Sequence, residues 1–227
     1  YKGRPVGSIG HVGAFSFCQD KIVSTGGEGG MLVTNDQEIW KRAWAYKDHG
    51  KSYDAVYKRE HPPGFRWLAE SFGTNFRMTE MQAAIGRIQL KLLPEWTAAR
   101  NANAAILDAC IAKQPALKVQ TVPKHMMHAR YKYYTSVVPS LLKEGWDRDR
   151  IQKEICEEGI PCFVGSCSEV YNEKAFEIAN LRPRQPLPVA KELGETTLMF
   201  LVHPNLTAEE MEATCKGIDI IMTQASK

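Results

Sequence analysis

The chain has 227 residues, 44% hydrophobic and 24% charged, an ordinary globular composition with enough apolar content for one or two cored domains. Net charge is only +3 and the basic residues are dispersed, so nothing argues for nucleic acid or a membrane surface as partner. No apolar run reaches membrane-spanning length, and the opening Tyr1-Lys2-Gly3-Arg4-Pro5 lacks the apolar core of a secretory leader.

Two short strands are predicted first. His11 to Phe17 is mostly apolar, and Gly29-Gly30 opens a second run, Met31-Leu32-Val33-Thr34-Asn35. Between them Ser16-Phe17-Cys18-Gln19-Asp20-Lys21 leads to the cluster Gly26-Gly27-Glu28-Gly29-Gly30. Two strands therefore bracket a lysine and a glycine-bent turn. A lysine held this way has little rotational freedom, which suits an amine that must meet a carbonyl carbon at a fixed angle. A solvated hairpin lysine is the commoner use of this residue type. Glu28 reads as a turn acid and Cys18 as a small filler residue.

Residues 36–47 have helical periodicity, with Ile39, Trp40, Ala43, Trp44 and Tyr46 on one broad face. Residues 48–74 are polar and carry Pro62-Pro63-Gly64, which predicts a long loop. Thr79-Glu80-Met81-Gln82 fits a capping box. Met78, Met81, Ile85, Ile88 and Leu92 then predict the buried stripe of a helix, with Pro94 expected to kink or restart it. Trp96 to Ala112 is also helical.

From about Gln120 the character changes. Tyr131 to Val138 predicts a strand, Asp147 to Glu158 a helix ended by Gly159, and Thr196 to Val202 a second strand. Thr207-Ala208-Glu209-Glu210 is another capping box, opening a final helix to about Thr223. This mixture predicts a small α+β layer. The six cysteines, at 18, 110, 156, 162, 167 and 215, have no ligand spacing with histidine. No metal site is expected, and free thiols in a reducing cytosol are the better reading. His11, His61, His125, His128 and His203 read as surface or core packing.

Several of these segments fall into one ordered pattern: Ser16-Phe17, three residues, Lys21; Gly27-Glu28-Gly29-Gly30; Thr34-Asn35-Asp36; His49-Gly50; Gly73-Thr74-Asn75-Phe76-Arg77-Met78; Gln82-Ala83-Ala84-Ile85-Gly86; and Gln89-Leu90. The pattern resembles the DegT/StrS family of pyridoxal-phosphate (PLP) sugar aminotransferases. Pro188-Val189-Ala190, His203-Pro204 and Leu206-Thr207-Ala208-Glu209-Glu210 extend the resemblance almost to the C-terminus.

The resemblance implies an α/β protein of the fold-type I, aspartate-aminotransferase-like class of PLP-dependent transferases. Residues 1–95 would be the end of the large cofactor-binding domain. Residues 96–227 would be a linking helix and a small α+β C-terminal domain. Lys21 would form the Schiff base with PLP and, once freed, move the proton. Ser16 would bond the cofactor phosphate, and Asn75 would reach that phosphate in the partner subunit of a homodimer. Arg77 reads equally as a phosphate or nucleotide contact on the substrate or as a helix-entry charge, and His49, more weakly, would face the substrate, with the aromatic loop Tyr53 to Trp67 near its entrance. The implied reaction moves an amino group, with glutamate as the expected donor, to a nucleotide-linked ketosugar in cytoplasmic amino-sugar or polysaccharide synthesis.

Lys2 to Gly10 resembles the tail of a family motif whose front half holds the acid for the cofactor's pyridine nitrogen. On that likeness the chain is expected to be the C-terminal part of a longer enzyme and a poor catalyst alone. Two other readings belong to the same fold: a sugar dehydratase, and a non-catalytic regulatory or dimerising module. The dehydratase branch replaces the lysine with histidine, so Lys21 argues against it. The resemblance weakens at Ile160-Pro161-Cys162-Phe163-Val164-Gly165-Ser166-Cys167, where many members carry a Tyr-Pro-Leu-His type of run. It weakens also at Cys18, where many carry histidine.

Overall fold

Gly13–Ser16 (β1) and Gly30–Val33 (β2) pair antiparallel, with Gly13 opposite Val33 and Ser16 opposite Gly30, in the computed structural model, which describes residues 1–227. The hairpin belongs to a unit of residues 1–94 and 124–127; residues 95–123 and 128–227 form a second unit.

In the first unit, β2 leads to α1 (Gln37–Lys47). Asp36 caps this helix, its Oδ1 accepting from the backbone N–H of Glu38 and Ile39 at 2.8 and 3.0 Å. The expected loop over residues 48–74 is not wholly irregular, because Tyr53–Tyr57 forms a short helix, α2. Ser52 starts it by accepting from Ala55 N at 3.1 Å, and Tyr53 packs edge-on against Trp40 and Trp44. A five-residue helix held by ring packing leaves little periodicity to read.

The helix α3 (Glu80–Ile111) corrects two expectations. It continues as helix on both sides of Pro94 rather than restarting there. Pro94 is exposed, so the carbonyl that loses its N–H partner is open to water. Nor is the apolar stripe at its start buried: Met81 is 77% and Ile88 62% exposed, with Ile85 and Leu92 also open. Periodicity marked a face that wants cover, and nothing in this chain covers it. The β1–β2 hairpin is likewise open, with Phe15, Met31, Leu32 and Val33 all exposed.

The second unit is built on an antiparallel sheet in the order β3–β4–β6–β5, from Leu117–Val119, Tyr133–Val137, Thr197–Phe200 and Cys162–Phe163. The strand expected over 131–138 and that over 196–202 are the central pair, each shorter by a few residues. Arg148–Glu157 (α4) and Ala208–Ala225 (α7) pack together beside the sheet. Lys174–Ile178 (α5) and Pro188–Thr196 (α6) had no sequence expectation. Thr207 Oγ1 accepts from Glu210 N at 3.2 Å while the Glu210 carboxylate accepts from Thr207 N at 2.8 Å, the expected capping box.

The apolar core lies here. Leu107, Ile111, Tyr133, Ile151, Ile155, Leu198, Phe200, Met211, Ile218 and Met222 are all fully buried. Each such side chain contributes roughly 1.5–3 kcal/mol of burial free energy. Tyr133 stays satisfied inside it by donating its hydroxyl to Asp108 Oδ1 at 2.7 Å. Burial, then the Asp108 hydrogen bond, push the phenol pKa up.

Candidate active site

Lys21 stands in the connection from β1 to β2. Its backbone N–H donates to the Cys18 carbonyl at 3.1 Å, and Cys18 N approaches Ser16 Oγ at 3.5 Å, so residues 16–21 close into a turn. The Lys21 Nζ lies 3.3 Å from Asp20 Oδ1, which also accepts from Cys18 Sγ at 2.9 Å. The Lys21 side chain is 35% exposed.

The rest of the connection is fixed at both flanks. Phe17 N donates to Gly29 O at 2.8 Å, extending the β1–β2 ladder by one step. Thr25, 2% exposed, donates its N–H to Phe17 O and its hydroxyl to Glu28 O. A Cβ at Gly29 would stand 2.3 Å from Thr25 Oγ1, so this position has room for glycine alone. The start of α3 provides a second anchor. Gln89 Oε1 accepts from Ser24 N at 2.7 Å, and Gln82 Nε2 donates to Glu28 O at 2.7 Å. Gln82 also caps its own helix, its Oε1 accepting from Thr79 N at 3.0 Å. Sequence reading found the cap but missed the anchors. Their signal was the seven-residue spacing of Gln82 and Gln89, which puts both amides on one helix face.

Asn75, Arg77 and His49 form a second group. The chain around Gly50 folds against the segment 71–76: His49 N donates to Thr74 O at 3.0 Å, and Asp48 bridges Asn75. A Cβ on Gly50 would fall 1.6 Å from the Ser71 carbonyl oxygen, and its φ is +80°. His49 beside it also has a positive φ, +57°. Arg77 is bracketed by three partners. Its Nε donates to Asn75 Oδ1 at 3.0 Å, its Nη2 lies 3.4 Å from His49 Nε2, and its Nη1 is 3.6 Å from Asp48 Oδ1. With its oxygen committed to Arg77, Asn75 presents the amide nitrogen as its remaining polar end.

A cleft of about 1350 Å³ opens in this first unit. Asn75, Arg77 and the Glu28–Gly30 turn line it, with Arg42 and Lys47; Ser16, Lys21 and His49 do not. The structure thus gathers Ser16 with Lys21, and His49 with Asn75 and Arg77, as two groups. In chemical terms the first offers a nucleophilic amine beside a hydroxyl. The second offers a guanidinium, an amide and an imidazole, a set suited to anions.

The chain matches the DegT/DnrJ/EryC1/StrS aminotransferase family over residues 1–219. A solved aminotransferase from Psychrobacter cryohalolentis is 57% identical, with a TM-score of 0.94 over 99% of this chain and 59% of its own. The spore coat polysaccharide biosynthesis protein SpsC of Bacillus subtilis is 34% identical over 97% of this chain and 56% of itself. GDP-perosamine synthase of Escherichia coli O157:H7 is 27% identical over 96% of this chain and 54% of itself. An E. coli GDP-4-keto-6-deoxy-D-mannose-3-dehydratase with bound hydrated PLP is 21% identical, with a TM-score of 0.78 over 96% of this chain and 57% of its own. It shares the fold alone. The chain spans about half the length of the curated relatives it matches.

Proposed function

Because the chain belongs to the DegT/DnrJ/EryC1/StrS aminotransferase family, we propose that the protein carrying it is a PLP-dependent aminotransferase acting on a nucleotide-linked ketosugar. The fold is the fold-type I architecture of PLP-dependent sugar aminotransferases. The observation that carries the reading is Lys21, held by the turn from Ser16 with its side chain partly exposed. The donor set fits PLP: a primary amine to join its aldehyde, with a hydroxyl near the same turn for its phosphate. When bound, PLP supplies an electron sink for charge developing where a proton leaves.

Lys21 Nζ would hold the cofactor covalently and, once released, take up and return the proton. Only the neutral amine can accept it, so the contact with Asp20 must loosen during turnover. Ser16 Oγ would donate to the cofactor phosphate. Asn75 would donate its amide nitrogen to the phosphate held by the other subunit of a homodimer. Arg77 would receive an anionic part of the substrate, with His49 at its flank. Two separate groups within one chain support such a shared site.

In this reading residues 1–95 contribute to the large cofactor-binding domain, and residues 96–227 are the linking helix and small domain. The amino donor is glutamate, and the setting is cytoplasmic. No helix is long and apolar enough to cross a membrane. The names GDP-perosamine synthase and spore coat polysaccharide biosynthesis protein support a nucleotide-sugar substrate and a polysaccharide pathway. The test is incubation with PLP, glutamate and a panel of nucleotide ketosugars, with product mass as readout. An amino sugar formed with 2-oxoglutarate supports the assignment. A deoxy product without nitrogen would make the protein a dehydratase, and PLP binding without turnover would leave the non-catalytic reading.

A further inference from the structure

Asp48 is an acid in a place that does not suit one. It ends α1, its N–H donating to Ala45 O at 3.1 Å, so its carboxylate stands at the negative end of the helix dipole. The side chain is 16% exposed, and Oδ1 is buried without a hydrogen-bond partner. A carboxylate so placed costs free energy unless a cation faces it. The adjacent Lys47 is turned elsewhere, its Nζ 3.9 Å from the centroid of the Trp44 ring. Arg77 is the cation that faces Asp48, with Nη1 3.6 Å from Oδ1.

The same guanidinium meets Asn75 Oδ1 through Nε at 3.0 Å and His49 Nε2 through Nη2 at 3.4 Å, neither of them a carboxylate. A guanidinium is planar, so anchors on all its nitrogens fix its plane. The two segments that carry these residues are zipped together by their backbones. Thr74 N donates to Tyr46 O at 2.7 Å, and Phe76 N to Lys47 O at 2.9 Å. Arg77 itself is half-exposed. Of its anchors, Asp48 is the one whose charge opposes the pull of water on the guanidinium.

We propose that Asp48 is a positioning residue: its carboxylate holds the Arg77 guanidinium inward and, through Arg77, fixes which end of the Asn75 amide is presented.

With Asp48 neutralised, Arg77 turns to solvent and Asn75 loses the donor that engages its oxygen. The amide is then free to rotate, and an oxygen repels a phosphate where the N–H had donated. The functional consequence rests on the proposed roles of Asn75 and Arg77. The coupling of Asp48 to Arg77 does not. An acid needed only for the fold would be a poor choice at a helix C-terminus, so stability and function should part company here.

Asp48→Asn keeps the shape and removes the charge. In the protein carrying this chain its urea midpoint should stay or rise, because a largely buried carboxylate leaves the helix end. Phenylglyoxal should modify Arg77 several-fold faster, read by peptide mass without PLP or substrate. PLP should be held more weakly, and KM for the nucleotide sugar should rise about tenfold with little change in kcat. On top of Arg77→Ala, Asp48→Asn should add nothing to KM. Asp48→Glu retains the charge and should keep Arg77 slow to react. A lower urea midpoint with Arg77 no more reactive would make Asp48 a structural residue and overturn the proposal. So would the same rise in KM with Arg77 already removed. Protection of Arg77 that depends on Asp48, in a protein that aminates no nucleotide sugar, would support the coupling and overturn the proposed reaction instead.

Discussion

Arg77 Nε donates to Asn75 Oδ1 at 3.0 Å, so the guanidinium and the amide are held as one unit. The bond sets which end of Asn75 is offered outward. It also couples the residue expected to reach a partner's phosphate to the one expected to meet the substrate's charge.

Shared sites predict complementation between subunits. Subunits carrying Lys21→Ala should be mixed with subunits carrying Asn75→Ala, each inactive or nearly so alone. A mixed dimer puts both lesions in one site and leaves the other intact, so activity should partly return. Absence of recovery in demonstrably mixed dimers would place Asn75 in its own subunit's site or outside it. Arg77→Lys keeps the charge but loses the Nε donor, and should raise KM for the nucleotide sugar about tenfold with a smaller effect on kcat.

Gly50→Ala should damage both stability and the second group of residues. The added Cβ meets the Ser71 carbonyl at 1.6 Å, a backbone atom that cannot swing away. Gly3→Ala makes the comparison, since Gly3 has φ +73° but open space around it. Gly50→Ala should cost at least about 2 kcal/mol in urea unfolding, and Gly3→Ala clearly less. Equal costs would mean that φ, not the close approach, sets the requirement for glycine at position 50.

The local chemistry of this chain was legible in its sequence, whereas its packing was only half so. Thr79, Gln82, Thr207 and Glu210 cap their helices as their spacing requires, because capping needs only atoms within three residues. The lysine between two short strands was equally local. What failed depended on distance in the chain. The stripe Met81–Ile85–Ile88 has helical period but stays exposed, since periodicity says which face seeks cover and not whether cover exists. The Gln82–Glu28 and Gln89–Ser24 contacts, 54 and 65 residues apart, could not be seen without the fold. The junction of His49 with Arg77 is of the same kind, at 28 residues.

Acid should loosen the second unit through His128. Its Nδ1 accepts from the Arg130 backbone N–H at 2.8 Å, which requires an unprotonated nitrogen. Burial, then the Arg130 charge, hold its pKa below the usual 6.5. As pH falls the unfolded chain therefore takes up the proton first. The stability in question is present above about pH 6.5 and is lost as pH drops from there toward the folded-state pKa. His203 is shifted the same way, by burial and then Arg100. His128→Asn keeps an acceptor without the titration, so its urea midpoint should fall less than the wild type's between about pH 7.5 and pH 5.5. An identical fall would remove His128 from the acid response.

The central claim is that Lys21 holds the cofactor, and chemical trapping tests it most directly. The protein carrying this chain should be loaded with PLP, reduced with borohydride, digested and sequenced by mass spectrometry. The account predicts a stable pyridoxyl group on the peptide containing Lys21, and its loss together with the visible cofactor band in Lys21→Ala. A pyridoxyl group fixed on a different lysine, with Lys21 unmodified, would contradict it.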